Sequence, residues 1–83
     1  MEKSTLEKKV LEIISERSQF NKDNIIPDND LRDNYGIDSI ILVEMLIEIE
    51  EVFGVTFDSS MLSYEYFSTA KSISDYVYER LAS

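Results

Sequence analysis

The segment 39–53, which contains neither glycine nor proline, constrains the fold of this chain more than any other feature. Its apolar residues recur at the three- and four-residue spacing of a helix that packs against a core. Asp38 is a favourable N-cap for such a helix, and Gly54 suits the left-handed position that often ends one. We therefore predict a helix from Asp38 to about Phe53. Its predicted core face consists of Leu42, Val43, Leu46, Ile49 and Phe53.

The preceding residues predict one more helix and a long loop. Ser4 and Glu7 fit a capping box, in which each side chain accepts from a backbone amide of the first turn. Apolar residues at helical spacing then predict an amphipathic helix over residues 5–18. Residues 19–37 lack this period, and a loop of this length in so small a domain is often functional.

The following residues complete an all-α architecture. We predict a short helical turn near residues 62–67 and a last helix capped by Ser68 or Thr69. Two Gly and one Pro among 83 residues argue against a β-rich fold. The predicted fold is a small four-helix bundle, three main helices and one short one, in a single domain spanning residues 1–83. The inward face of the last helix is predicted to consist of Ala70, Ile73, Val77 and Leu81.

The absence of two residue types excludes several kinds of chemistry. The chain has no Cys and no His, which rules out disulfides, thiolate metal sites and Ser–His or Cys–His catalysis within it. No general acid and base constellation is evident, so we expect no enzymatic turnover. The sequence shows no signal peptide and no apolar stretch of membrane-spanning length, and a cytoplasmic location is expected.

The net charge of −9 is unevenly distributed. Residues 23–66 carry eleven acidic side chains against a single basic one, Arg32. Such a field repels nucleic acid and anionic lipid, and it attracts basic protein surfaces. The alternative is that the acidity only keeps a small protein soluble.

The predicted central helix carries an acidic face formed by Glu44, Glu48 and Glu51. Like charges at three- and four-residue spacing destabilise a helix slightly, and no Lys or Arg within the helix relieves them. A basic partner would explain this face, whereas a solvated surface is the alternative. Three apolar residues are predicted beside it, as in a contact surface, unless the long loop covers them. They are Ile41, Met45 and Val52.

A motif at the start of this helix carries a family resemblance. Residues 36–40 read Gly-Ile-Asp-Ser-Ile, which resembles the attachment motif of acyl carrier proteins. The resemblance continues downstream through residues 50–54. Residues 26–28 resemble the family's loop, and residues 67–69 resemble the start of its last helix. Together these matches cover nearly the whole chain.

The resemblance implies a four-helix carrier fold and a covalent cofactor. A phosphopantetheinyl transferase, using coenzyme A and Mg²⁺, would attach 4′-phosphopantetheine to Ser39. The terminal thiol of that arm would hold an acyl or aminoacyl group as a thioester. Asp38 would cap the helix and contact the transferase. The implied partners are this transferase and acyl-activating or acyl-transferring enzymes with basic docking surfaces, and a monomer is expected. The expected partner surface consists of Ile40, Ile41, Glu44, Met45, Glu48 and Glu51.

Alternatives remain at this point. Ile41 is more apolar than is usual in fatty-acid carriers, whereas the strong acidity is typical of them, so fatty-acid, polyketide and peptide-synthetase pathways stay open. A different class of function is an unmodified acidic adaptor that only binds proteins. Calcium binding by Asp28, Asp30 and Asp33 is a third hypothesis, although the loop departs from the EF-hand pattern at Arg32.

Overall fold

The computed structural model describes residues 2–19 and 24–82, and within them it shows an all-α fold without strands. This confirms the predicted fold class. In the same residues no helix combines the length and apolar character needed to cross a membrane. The helices are α1 (Lys3–Arg17), α2 (Leu31–Tyr35), α3 (Ser39–Phe53) and α4 (Ala70–Ala82), with a 3₁₀ turn at Ser59–Met61.

The first helix begins earlier than its capping pattern predicts. Helix α1 starts at Lys3, and its N-cap, Glu2, makes no side-chain capping hydrogen bond. The Leu6 amide donates to the Glu2 carbonyl oxygen at 3.0 Å, which places the first helical bond before Ser4. Ser4 lies inside the helix and cannot adopt the extended conformation of an N-cap. The capping-box prediction is therefore wrong.

The segment predicted as a loop contains the short helix α2. Its N-cap is Asp30, whose Oδ1 accepts from the amides of Arg32 and Asp33, both at 2.9 Å. Gly36 ends the helix at φ 68°, a left-handed conformation that glycine adopts without a steric penalty. The Leu31 amide donates to the Ser68 carbonyl oxygen at 2.8 Å and ties α2 to the start of α4.

The core lies between α1, α3 and α4, and α1 packs against both of the other helices. From α3 the core takes Leu42, Met45, Leu46, Ile49 and Phe53. The predicted core face was correct except that Met45 replaces Val43, which is half-buried. At about 100° per residue, Met45 lies about 60° from Leu42 around the helix, whereas Val43 lies about 100° away. Met45 therefore packs inside, with 0% of its side chain exposed.

The C-terminal half differs from the prediction in two places. The 3₁₀ turn lies at Ser59–Met61, before the predicted site at 62–67, where one turn closes with the Phe67 amide donating to the Ser63 carbonyl oxygen at 3.0 Å. The cap of α4 is Thr69, whose Oγ1 accepts from the Ser72 amide at 3.1 Å. Leu81 is 42% exposed rather than inward, because it lies in the last turn of α4, near the end of the bundle.

Candidate functional site

Ser39 is the first residue of α3, and its side chain is exposed. The preceding residue, Asp38, is the N-cap, and its Oδ1 accepts from the Ile41 amide at 2.9 Å. The Leu42 amide donates to the Asp38 carbonyl oxygen at 2.8 Å, which is the first bond of the helix. The amides of Ser39 and Ile40 belong to the first turn, where no intrahelical carbonyl can accept from them. An exposed hydroxyl thus stands beside two free amide donors.

The residues before Ser39 are held by contacts with Gln19, two residues after the end of α1. The Gln19 amide donates to the Tyr35 carbonyl oxygen at 2.9 Å, and Gln19 Nε2 donates to the Gly36 carbonyl oxygen at 3.0 Å. Ile37 is fully buried between these contacts and Asp38. The start of α3 is therefore fixed to the bundle by backbone hydrogen bonds and an apolar anchor.

A second Asp-Ser pair, Asp58 and Ser59, has a similar local structure. Asp58 caps the 3₁₀ turn by accepting from the Ser60 amide at 3.0 Å, and Ser59 is exposed. This bond, together with one from the Ser60 hydroxyl to Asp58 Oδ1 at 2.8 Å, lowers the pKa of the Asp58 carboxyl. The turn that follows is only three residues long. Local capping alone therefore does not distinguish Ser39, and the rest of α3 must do so.

The outward face of α3 is a row of alternating apolar and acidic side chains. We call it the exposed stripe, and it consists of Ile40, Glu44, Ile47 and Glu51. Ile40 is 72% exposed and Ile47 is 45% exposed. The spacing of four, three and four residues places all four side chains on the face opposite the core. Ile40 directly follows Ser39, so the stripe begins beside the hydroxyl.

The exposed stripe differs from the partner surface expected from the sequence. Ile40, Glu44 and Glu51 are exposed, as that surface requires, but Met45 is buried, and its assignment to a partner surface is wrong. Ile41 is half-buried against the core. Ile47 was missed, although its distance of seven residues from Ile40 places both on one face of a helix.

Glu48, which was expected on the partner surface, lies outside the exposed stripe and pairs with α1. The Nε and Nη2 atoms of Arg17 lie 3.1 and 2.9 Å from Glu48 Oε1. Arg17 Nη1 lies 3.9 Å from Glu44 Oε1, a longer contact. A neighbouring helix thus supplies the cation that α3 lacks.

Glu50 also has a structural role. Its Oε2 accepts from the Phe57 amide at 2.6 Å and fixes the chain after α3. This bond gives the Glu50 carboxylate a backbone donor at the end of α3, where the helix dipole alone disfavours an anion.

The aspartates of the predicted loop do not converge on a common point. Asp30 caps α2, and within residues 2–19 and 24–82 no group of three acidic side chains is arranged to hold a metal ion. The calcium hypothesis therefore gains no support from the described residues.

Arg32, on α2, packs against an aromatic ring. Its guanidinium lies 4.8 Å from the centroid of the Tyr64 ring. Burial raises the pKa of the Tyr64 hydroxyl to about 12, so Tyr64 is neutral at physiological pH. The contact is a cation–π interaction between the Arg32 guanidinium and the Tyr64 ring. Arg32 is therefore not part of the exposed stripe.

An open cleft of about 450 Å³ lies at the far end of α3, between Gly54 and Leu81. A 15-residue helix separates it from Ser39, a length of roughly 22 Å at 1.5 Å per residue. Ser39 lies on the exposed surface and not in this cleft, so a second protein can reach its hydroxyl.

Fold and site together define a small helical bundle with an exposed serine as the first residue of α3 and an acidic and apolar face along the same helix. The family model described as a phosphopantetheine attachment site matches residues 8–77. The chain is 34% identical over 73 residues to an acyl carrier protein of Phytoplasma mali, covering 88% of this chain and 84% of that protein. It is 31% identical over 80 residues to an acyl carrier protein of Chlorobium phaeobacteroides, covering 96% of this chain and 100% of that protein.

A D-alanyl carrier protein of Abiotrophia defectiva is also similar, at 34% identity over 77 residues, covering 93% of this chain and 98% of that protein. The chain therefore belongs to the acyl carrier protein family, as its motif predicted. It has a carrier function, and the cofactor of that function is covalently attached 4′-phosphopantetheine. Carrier proteins are generally not catalysts themselves.

Proposed function

We propose that Ser39 is the attachment residue and that residues 1–83 act as a single carrier domain for acyl or aminoacyl groups in fatty-acid, polyketide or related biosynthesis. The observation that carries this proposal is the exposed Ser39 hydroxyl at the start of α3, in line with the exposed stripe. The second Asp-Ser pair, at Asp58, lacks a long helix and such a stripe.

The residues around Ser39 fit a phosphodiester. The amides of Ser39 and Ile40 can donate to phosphate oxygens, and the positive end of the α3 dipole favours an anion there. The Asp38 carboxylate accepts a hydrogen bond from the Ile41 amide. It therefore leaves the amides of Ser39 and Ile40 available to a phosphate. When bound, the arm supplies a thiol, which the chain itself lacks because it has no Cys.

In the attachment step only one atom of this chain forms a new bond, the side-chain oxygen of Ser39. The Ser39 oxygen bonds to the phosphorus at the pantetheine end of coenzyme A, and the bond from that phosphorus to the adenosine bisphosphate leaving group breaks. The hydroxyl proton passes to a base of the transferase. An exposed hydroxyl with no side-chain hydrogen bond to lose is suited to this step.

Loading is tested by intact mass spectrometry after incubation with coenzyme A, Mg²⁺ and a broad-specificity phosphopantetheinyl transferase. We expect a gain of one phosphopantetheinyl group, and peptide mapping is expected to locate it on Ser39. A known carrier protein in a parallel reaction controls for transferase activity. An unchanged mass, starting from the bare chain and beside a modified control, would contradict the proposal and favour an unmodified adaptor.

We assign partner docking to the exposed stripe. Glu44 and Glu51 offer negative charge on either side of Ile47, and Ile40 extends the apolar part to the attachment residue. An acidic face interleaved with apolar side chains complements a partner surface with basic residues around an apolar patch. The proposed partners are the transferase and the enzymes that load or accept the cargo.

Charge reversal at Glu51 tests this assignment. Glu51→Lys is expected to lower the kcat/KM of the transferase reaction by about three- to tenfold at low salt, because it replaces attraction with repulsion of a basic surface. The matched control is Glu79→Lys, which makes the same charge change at an exposed position of α4. Equal losses in the two variants would mean that net charge, and not the stripe, governs docking. Added salt should shrink the difference.

A further inference from the structure

Arg17 connects the end of α1 to the acidic side of α3. It holds Glu48 through two nitrogen atoms, at 2.9 and 3.1 Å, and it reaches Glu44 at 3.9 Å. The side chains of Arg17 and Glu48 are 31% and 32% exposed, so the pair is shielded on one side and open to solvent on the other. A cation that approaches α3 therefore meets acids that already have a guanidinium beside them.

The pair is a minor source of fold stability. A partly exposed ion pair contributes little because solvent screens it and two long side chains lose freedom. The pair matters more for the charge of the α3 surface than for stability, since the helix has four glutamates and no basic residue of its own. Arg17 lowers the negative potential on one side of the exposed stripe and leaves Glu51, which is exposed, unaffected by direct contact.

We infer that Arg17 competes with partner cations for Glu44, an acid of the exposed stripe, and for Glu48 beside it, and that it so determines partner choice, an inference that rests on the proposed docking function. A partner whose cations bind Glu48 and Glu44 must displace Arg17 from them. A partner that contacts only Ile40, Ile47 and Glu51 does not. The same protein can thus discriminate between basic surfaces that approach α3 from its α1 side and those that approach it head-on.

The variant Arg17→Gln releases both acids. With the transferase as partner at low salt, its KM for this protein is expected to fall by about two- to fivefold while kcat changes less than twofold, which corresponds to the free energy of one exposed ion pair. The matched control is Lys9→Gln, because Lys9 pairs with Glu12 within α1 and its loss gives the same net charge. The control is expected to change KM less than 1.5-fold, about the size of a long-range charge effect under screening.

Two further variants separate competition from structural damage. In a background with both Glu44→Gln and Glu48→Gln, Arg17→Gln is expected to change KM by less than about 1.5-fold, because both acids that Arg17 contacts are gone. Arg17→Lys keeps the charge but loses the planar fork, so its KM should fall between those of the parent and Arg17→Gln. Circular dichroism verifies that each variant is folded, and if Arg17→Gln is not, the Arg17→Lys result decides.

A titration with a fluorescent oligolysine peptide gives a second readout that does not require loading. Tighter binding by Arg17→Gln than by Lys9→Gln supports the competition. Equal peptide binding by the two variants overturns the competition. A raised KM for Arg17→Gln also overturns it and would mean that Arg17 instead orients the acids for docking. If the parent is never loaded, the proposed function fails, and the peptide titration still decides the role of Arg17.

Discussion

Ser39→Ala is expected to abolish loading completely, with no phosphopantetheinyl mass gain even after prolonged incubation with excess transferase. The reason is chemical, because alanine has no oxygen to form the phosphoester bond. The fold should be preserved, since the cap of α3 is the Asp38 carboxylate and not the Ser39 hydroxyl. Surface substitutions of this kind change the free energy of unfolding by about 0.5 kcal/mol or less. Intact mass and urea denaturation, measured on the same preparation, check both statements.

The chain offers a matched control for this variant. Ser59→Ala removes another exposed serine that follows an aspartate N-cap, and it is expected to load as the parent does. If Ser59→Ala abolishes loading and Ser39→Ala does not, the attachment residue lies on the 3₁₀ turn and the role assigned to α3 is wrong. If both variants load, the modification is at neither position.

The limits of α3 could be predicted from the sequence because strong local signals mark both ends. Asp38 caps its first turn, and Gly54 adopts φ 68° after its last. Between them, helical spacing of apolar residues outweighs every alternative. The same segment holds the attachment motif, so the part of the chain that best predicts the fold also gave the family.

The short helix α2 could not be predicted in the same way. Five residues are too few to show a helical period, and a helix of that length depends on its tertiary contacts. Here the tertiary contact is the bond from the Leu31 amide to Ser68, which is distant in sequence, and it adds to the local Asp30 cap.

The acidic face shows why a sequence gives the face of a helix but not its neighbours. Spacing placed Glu44, Glu48 and Glu51 on one side of the helix, yet Glu48 meets Arg17, which lies 31 residues earlier in the chain. Whether a charge run is free or paired depends on how α1 packs against α3. The periodicity of α3 alone does not contain that information. The proposed docking surface therefore differs from the expected one, because it leaves out Glu48 and includes the exposed Ile47.

Among the residues that the sequence placed on the partner surface, Met45 is the one whose truncation is expected to destabilise the fold most. Met45→Ala is expected to lower the free energy of unfolding by about 2–5 kcal/mol, because it leaves a cavity in the core between α1, α3 and α4. A domain of this size has a total stability of roughly 4–12 kcal/mol, so the loss is a large share of it. Urea denaturation followed by circular dichroism measures the change, and alanine's high helix propensity means that α3 itself is not the cause.

Ile47→Ala, two residues away on the opposite face, is the matched control. Because Ile47 is 45% exposed, the same truncation is expected to cost less than about 1 kcal/mol in stability while raising the transferase KM. Met45→Ala should show the reverse, with a near-normal KM for the fraction that is folded. A stable Met45→Ala variant with a raised KM would return Met45 to the partner surface. It would also mean that α3 is rotated about its axis, so that Met45 faces solvent.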